Sequence, residues 1–207
     1  MTSAAEAKQT RAWQRMLSGR RLDLLDPSPL DVEIEDIAHG LSRVARWNGQ
    51  TSGANPFSVA QHSLFVEQLL RIASPQIAPR WQLAALLHDA PEYVIGDLIS
   101  PFKAMVGGDY KALEHRLLAA VHLRFGLPVD LPQSTAKAIK RADQAAAWYE
   151  ATQLAGFSLA EAKQNFTPPR LKNAPEITLS PMTPEKAKHA FIARFVELSA
   201  ASGLAPG

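Results

Sequence analysis

The stretch Ser58-Val59-Ala60-Gln61-His62-Ser63-Leu64-Phe65-Val66-Glu67-Gln68-Leu69 decides the fold class. Ser58 followed three residues later by Gln61 has the form of a capping box. Val59, Phe65, Val66 and Leu69 then recur at helical spacing, which predicts an amphipathic helix running to about Ala73. Upstream, Ile34, Ile37, Ala38, Leu41, Val44 and Ala45 repeat the same stripe. Downstream, the spacing predicts helices over about 80–95 (ending at Gly96), 109–125 and 133–154. Thr183-Pro184-Glu185 reads as an N-cap with Pro in the first helical position, and the helix after it carries Ala187, Phe191, Phe195 and Leu198 inward. Asp26-Pro27-Ser28-Pro29 is a turn, 48–56 a polar loop, and 165–182 a Pro-rich crossing segment. Almost nothing alternates with period two. The expected fold is an all-α multi-helix bundle. Residues 1–30 read as an N-terminal extension, 31–155 as the core, and 156–207 as the crossing segment with a C-terminal helix packed on that core.

The bulk numbers agree with that reading. The chain has 207 residues, 46% of them apolar and 20% charged, enough to bury a real core. There is no apolar run long enough for a membrane-spanning helix and no secretory signal pattern. With 0 Cys, disulfides, thiolate nucleophiles and Cys-ligated metal centres are excluded, and the composition fits a cytoplasmic protein. The net charge is +2, too near neutral to argue for nucleic-acid binding. Lys8, Arg11, Arg15, Arg20 and Arg21 cluster near the N-terminus, which reads as a solvated basic helix end, with a phosphate-contacting arm as the alternative.

An all-α chain says nothing about chemistry; polar residues where the period demands apolar ones do. His62 interrupts the stripe of 58–73. His88-Asp89 ends the most apolar segment, Leu83-Ala84-Ala85-Leu86-Leu87. Asp143 falls between Ile139 and Ala146. A buried carboxylate has to be paired, protonated or bound to a cation. Each residue also has a plainer reading: a satisfied core histidine, an ion-pair partner, or a helix stop. Taken together, two imidazoles and two carboxylates make a mixed nitrogen and oxygen set suited to a divalent metal. Spacing alone does not choose between these readings.

At these positions the chain resembles the HD-domain metal-dependent phosphohydrolases, whose pattern is a lone His, a His-Asp pair and a distant Asp. Here those are His62, His88-Asp89 and Asp143. It is most similar to the bacterial 5'-deoxynucleotidase branch, through Arg46-Trp47, Glu92, Gly96-Asp97, Pro101 and Lys103. The resemblance covers residues 34–149. Gln61 stands where that branch usually carries Glu, and the loop between Trp47 and His62 is slightly longer; these departures bear on substrate choice more than on metal binding.

The resemblance implies that His62, His88, Asp89 and Asp143 hold one divalent ion (Zn, Mn, Co, Ni, Fe or Mg). It implies a nucleotide substrate, with a deoxynucleoside 5'-monophosphate split into deoxynucleoside and phosphate. Glu92, four residues after His88 and read as one turn along the same helix, is expected to orient or deprotonate the attacking water. Asp97 is expected at the leaving group or a substrate hydroxyl. Arg46, read as closing a polar face of the first helix with Glu35, His39 and Ser42, is expected to clamp phosphate. Trp47 is expected to stack on the base or press on the sugar, with core packing as its alternative, and Lys103 to add charge near the phosphate. A homodimer is compatible with the resemblance. Two alternative functions stay open: an HD-type triphosphohydrolase of deoxynucleoside triphosphates, and a non-catalytic nucleotide-binding sensor.

Overall fold

A computed structural model describes residues 12–99, 105, 107–169 and 176–204. Among the described residues the fold is all-α apart from one short hairpin. The helices are α1 (Ile34–Leu41), α2 (Val59–Ala73), α3 (Pro79–Leu86), α4 (Glu92–Ile95), α5 (Gly108–Arg124), α6 (Gln133–Gln153), α7 (Leu159–Asn165) and α8 (Pro184–Ala201). Among the described residues no helix is long and apolar enough to cross a membrane. Lys103 and Pro101 lie outside the described residues, as do Lys8 and Arg11.

Helix α2 is the axle. It packs along α6 on one side and against α3 and α8 on others, while α8 also covers α1 and α3. The apolar stripe expected for α2 is buried: Val59, Val66 and Leu69 are inaccessible and Phe65 nearly so. Phe191, Phe195 and Leu198 of α8 close the same core, with Phe195 meeting Phe125 edge-on at 4.8 Å. One charged strut crosses this interface. Glu67 of α2 is buried and accepts from Arg194 Nε (3.1 Å) and Nη2 (2.6 Å) on α8, and Gln82 Oε1 accepts from the same Nη2. A buried carboxylate without such a partner would cost several kcal/mol.

Four local expectations are corrected. The helix expected over 80–95 is two helices, because Pro91 has no N–H to donate to the Leu87 carbonyl and its ring crowds that turn. The Leu87 oxygen instead accepts from Ala90 N at 3.0 Å. His88 and Asp89 therefore sit on the turn between α3 and α4, and Glu92 opens α4 rather than continuing one helix face. Helix α1 stops at Leu41, short of Ala45, so Arg46 lies beyond it in a 3-10 turn (Arg46–Gly49) and not on its polar face. Ser58 does cap α2, accepting from Gln61 N at 3.3 Å. The Gln61 side chain does not return to the cap, however; it bridges Ser180 O (3.0 Å) and Met182 N (2.8 Å), tying the crossing segment to α2. Just before that segment lies α7, whose Ser158 and Glu161 form a complete capping box.

Among the described residues, the basic side chains Arg15, Arg20 and Arg21 lie on a hairpin and not at a helix end. Trp13–Arg15 (β1) pairs antiparallel with Arg21–Asp23 (β2), with Gln14 opposite Leu22. Gly19, at φ 92, allows the tight reversal. Leu22 is fully buried, and Ser18 donates through N and Oγ to the buried Asp36 of α1 (2.9 and 2.5 Å). Arg21 covers the Trp13 ring at 4.4 Å and Arg20 pairs with Glu33. Strands of three residues are too short to display a period, which is why the hairpin is invisible in the sequence pattern.

Candidate metal centre

The packing of α2 on α6 sets His62 opposite Asp143, and the turn after α3 delivers His88 and Asp89 to the same point. Ligand atoms of His62, His88 and Asp143 lie within 4.8 Å of one another. Asp89 Oδ2 is 3.3 Å from His62 Nε2 and 3.2 Å from His88 Nε2, and Asp143 Oδ1 is 3.4 Å from His62 Nε2. All four residues singled out in the sequence thus converge. His62 is fully buried, while the Asp89 and Asp143 side chains keep 21% exposure, so the cluster opens to solvent on its carboxylate side.

Each imidazole is oriented from behind. His88 Nδ1 donates to the Ala85 carbonyl at 2.8 Å. His62 Nδ1 donates to Glu150 Oε1 at 2.5 Å. A ring whose Nδ1 carries the proton presents a lone pair at Nε2. Both Nε2 atoms are buried, and neither has a hydrogen-bond partner among the described residues. Two orphaned imidazole nitrogens facing two carboxylates form the donor set that a divalent transition ion takes, and a carboxylate or carbonyl behind each ligating ring is the usual second support of such sites. By chemistry and geometry, the residues fit a divalent metal.

Without a cation the same carboxylates favour a proton on His62, which a bound ion would displace. Burial and the nearby Arg46 oppose a proton on His62, yet Glu150, Asp143 and Asp89 outweigh them and hold its pKa well above the ordinary value. Burial would raise the Asp143 and Asp89 carboxyls, but His62 and His88 hold both well below the usual range. The cluster attracts positive charge. Asp143 Oδ2 also accepts from Lys140 at 2.8 Å, a partner on the exposed side.

Arg46 and Trp47 sit beside this centre, positioned by a turn of uncommon shape. Trp47 (φ 57) and Asn48 (φ 50) both occupy the left-handed region. Asn tolerates that conformation; a bulky Trp does so only where its surroundings over-determine it. Here they do. Trp47 Nε1 donates to Glu150 Oε2 at 2.8 Å, its ring meets Phe157 and Phe166 at 5.8 and 5.7 Å, and Arg46 N donates to the Phe57 carbonyl. The Trp47 ring is therefore a wall held from behind by two phenyl rings.

Arg46 Nη1 pairs with Asp97 Oδ2 at 3.0 Å and Nε with Glu150 Oε2 at 3.3 Å, so the guanidinium bridges Asp97 and Glu150. Asp97 follows Gly96, whose φ of 75 turns the chain out of α4. Glu92 is buried, and its charge reaches Arg46 along with those of Asp89 and Asp97.

Glu150 was absent from the sequence reading. It is fully buried and lies seven residues after Asp143, two turns along the same face of α6. An inward acid at that spacing was the available signal. Burial raises its carboxyl, but His62 and Arg46 bring it down to about 2.

No family model matches the chain. Over 98 residues it is 37% identical to the uncharacterized protein YfdR of Escherichia coli (strain K12), a match spanning 47% of this chain and 49% of that one. Over 184 residues it is 59% identical to an uncharacterized protein of Rhodobacter capsulatus, with 89% of this chain and 94% of the relative aligned. At that identity and coverage, the chain belongs to the family of the Rhodobacter capsulatus protein.

Proposed function

We propose that the protein is a metal-dependent phosphohydrolase of the HD-domain type, acting on deoxynucleoside 5'-monophosphates. The observation that carries the reading is the convergence of two Nε2 atoms without a hydrogen bond and two aspartates beside a half-buried arginine. His62, His88, Asp89 and Asp143 would hold the ion, and a divalent ion there supplies charge neutralisation for a phosphoryl oxygen and a lowered pKa for bound water.

The remaining work falls to the chain's own side chains. Phosphoryl transfer asks mainly for positioning and charge stabilisation. Arg46, adjacent to the cluster and charged at all accessible pH, binds and orients the phosphate. Glu92 takes one proton of the attacking water; the new P–O bond forms as the bond to the 5'-oxygen breaks, and the proton held by Glu92 passes through solvent to that leaving oxygen. Asp97, held by Arg46, stands where a sugar hydroxyl or the leaving oxygen is recognised. The Trp47 wall disfavours a 2'-hydroxyl, which would lose its hydration against the ring.

The test combines elemental analysis of the purified protein with phosphate release from a panel of nucleotides. Free phosphate from deoxynucleoside monophosphates is expected. Tripolyphosphate from triphosphates would replace the reading with a triphosphohydrolase, and nucleotide binding without turnover would replace it with a sensor. Glu92→Gln is expected to keep metal and lose at least a hundred-fold in rate, within the range of general-base contributions (about 10²–10⁴-fold).

A further inference from the structure

The feature that the proposed mechanism leaves unused is Glu150. It is fully buried, with its two oxygens committed to different parts of the site: Oε1 to His62 Nδ1, Oε2 to Trp47 Nε1 and Arg46 Nε. We propose that Glu150 is a positioning residue that couples the metal-ligand cluster to the Arg46–Trp47 turn, so that occupancy of one sets the geometry of the other. The inference rests on the metal-centre reading above.

All three partners donate toward Glu150, and only an ionised carboxylate accepts on both oxygens. An amide of the same shape cannot serve both sides. With its oxygen toward His62, its NH₂ faces the Trp47 and Arg46 donors. With its NH₂ toward His62, it donates to Nδ1, which moves the ring proton to Nε2 and removes the lone pair that faces the cluster. Whichever way it turns, one arm fails.

The turn has reason to feel this. Trp47 and Asn48 lie in the left-handed region, a conformation that depends on its contacts. Phe157 and Phe166 grip the Trp47 ring, but the Glu150 bond is the polar one that fixes the indole edge. A cation at the His62 Nε2 strengthens the Nδ1–H donor on the opposite side of the ring, draws on Oε1, and so alters what Oε2 offers Trp47 and Arg46.

The experiment reads coupling, not turnover. Zn²⁺ alone is titrated into full-length protein, following affinity by chelator competition and the Trp47 indole N–H resonance by NMR, assigned with Trp47→Phe. In wild type, saturation is expected to shift that resonance. Glu150→Gln is expected to lower Zn²⁺ affinity about 10–100-fold, the usual effect of removing a carboxylate behind a ligating imidazole, and to abolish the metal-induced shift. Wild-type protein that binds neither Zn²⁺ nor Mn²⁺ would overturn the metal centre and this inference with it. Unchanged affinity and an unchanged shift in Glu150→Gln would overturn the coupling while leaving the metal centre intact. Should the variant not fold, the wild-type titration decides alone: a Trp47 resonance unmoved at saturation overturns the coupling.

Discussion

Gly40→Ala opposes two effects of known sign on one atom. In an ordinary helix this change stabilises by about 1 kcal/mol through propensity. In α1, however, a Cβ at position 40 would meet Tyr93 Cβ at 2.8 Å, Tyr93 O at 2.9 Å and Tyr93 Cα at 3.1 Å. Two of these three contacts include backbone atoms of α4, which cannot rotate away. To reach ordinary contact near 3.4 Å, α1 and α4 must separate by about 0.6 Å, and overpacking of this kind costs typically about 1–3 kcal/mol, sometimes more. Because the obstacle is backbone, the upper half of that range applies and the clash wins, for a net loss of about 1–2 kcal/mol. In a chain of this size that lowers the melting temperature by about 2–8 °C. The displaced helix starts at Glu92 and leads into Asp97, so turnover is expected to fall further than stability. Gly108→Ala is the control: it opens α5, and a Cβ there meets nothing within 4 Å. Calorimetry on both variants checks the sign. A Gly40→Ala protein as stable as Gly108→Ala would show that propensity governs and that the α1–α4 approach is not tight.

Zn²⁺ or Mn²⁺ at about a hundred times its dissociation constant is expected to add about 2.7 kcal/mol of stability by linkage, about 5–11 °C in melting temperature; His88→Ala and Asp143→Ala should each lose this increment in thermal-shift measurements. Glu67→Ala is expected to cost about 3 kcal/mol in urea unfolding, because it strips Arg194 of its buried partner and leaves Gln82 and Glu197 to hold the guanidinium. His122 is buried, donates Nδ1 to the Pro128 carbonyl, and has its pKa lowered, chiefly by burial. The unfolded chain therefore takes up the proton first, so its contribution to stability is complete above pH 6.5 and fades as pH falls below it. Equilibrium unfolding at pH 7.5 and 5.5 should show a smaller drop in His122→Gln than in wild type.

The helices and the inward placement of the four converging side chains are legible because both rest on local rules. A stripe at the helical period demands burial, and His62 and Asp143 are polar residues placed within such a stripe, an arrangement the chain tolerates only with a partner. The break at Pro91 is equally local, since a proline lacks the N–H that a continuing helix needs; the long apolar run through Leu87 masks it in the hydrophobic pattern. The hairpin was hidden for a different reason, because three-residue strands carry no period and are held by Leu22 in the core and by Ser18 on Asp36, contacts made across distance.

The site divides in the same way. Periodicity told which side chains must face inward, because burial of apolar area along a helix face is encoded residue by residue. Folding in three dimensions chose their company: Glu150 reaches His62 only because α6 lies along α2, Arg46 meets Asp97 only because α1 ends early and Gly96 turns the chain, and Trp47 adopts its left-handed backbone only because Phe157, Phe166 and Glu150 surround it. Partners between 51 and 104 positions apart leave no repeating mark in a one-dimensional pattern; their pairing is a property of packing, where a buried charge is satisfied by whichever group the core brings alongside.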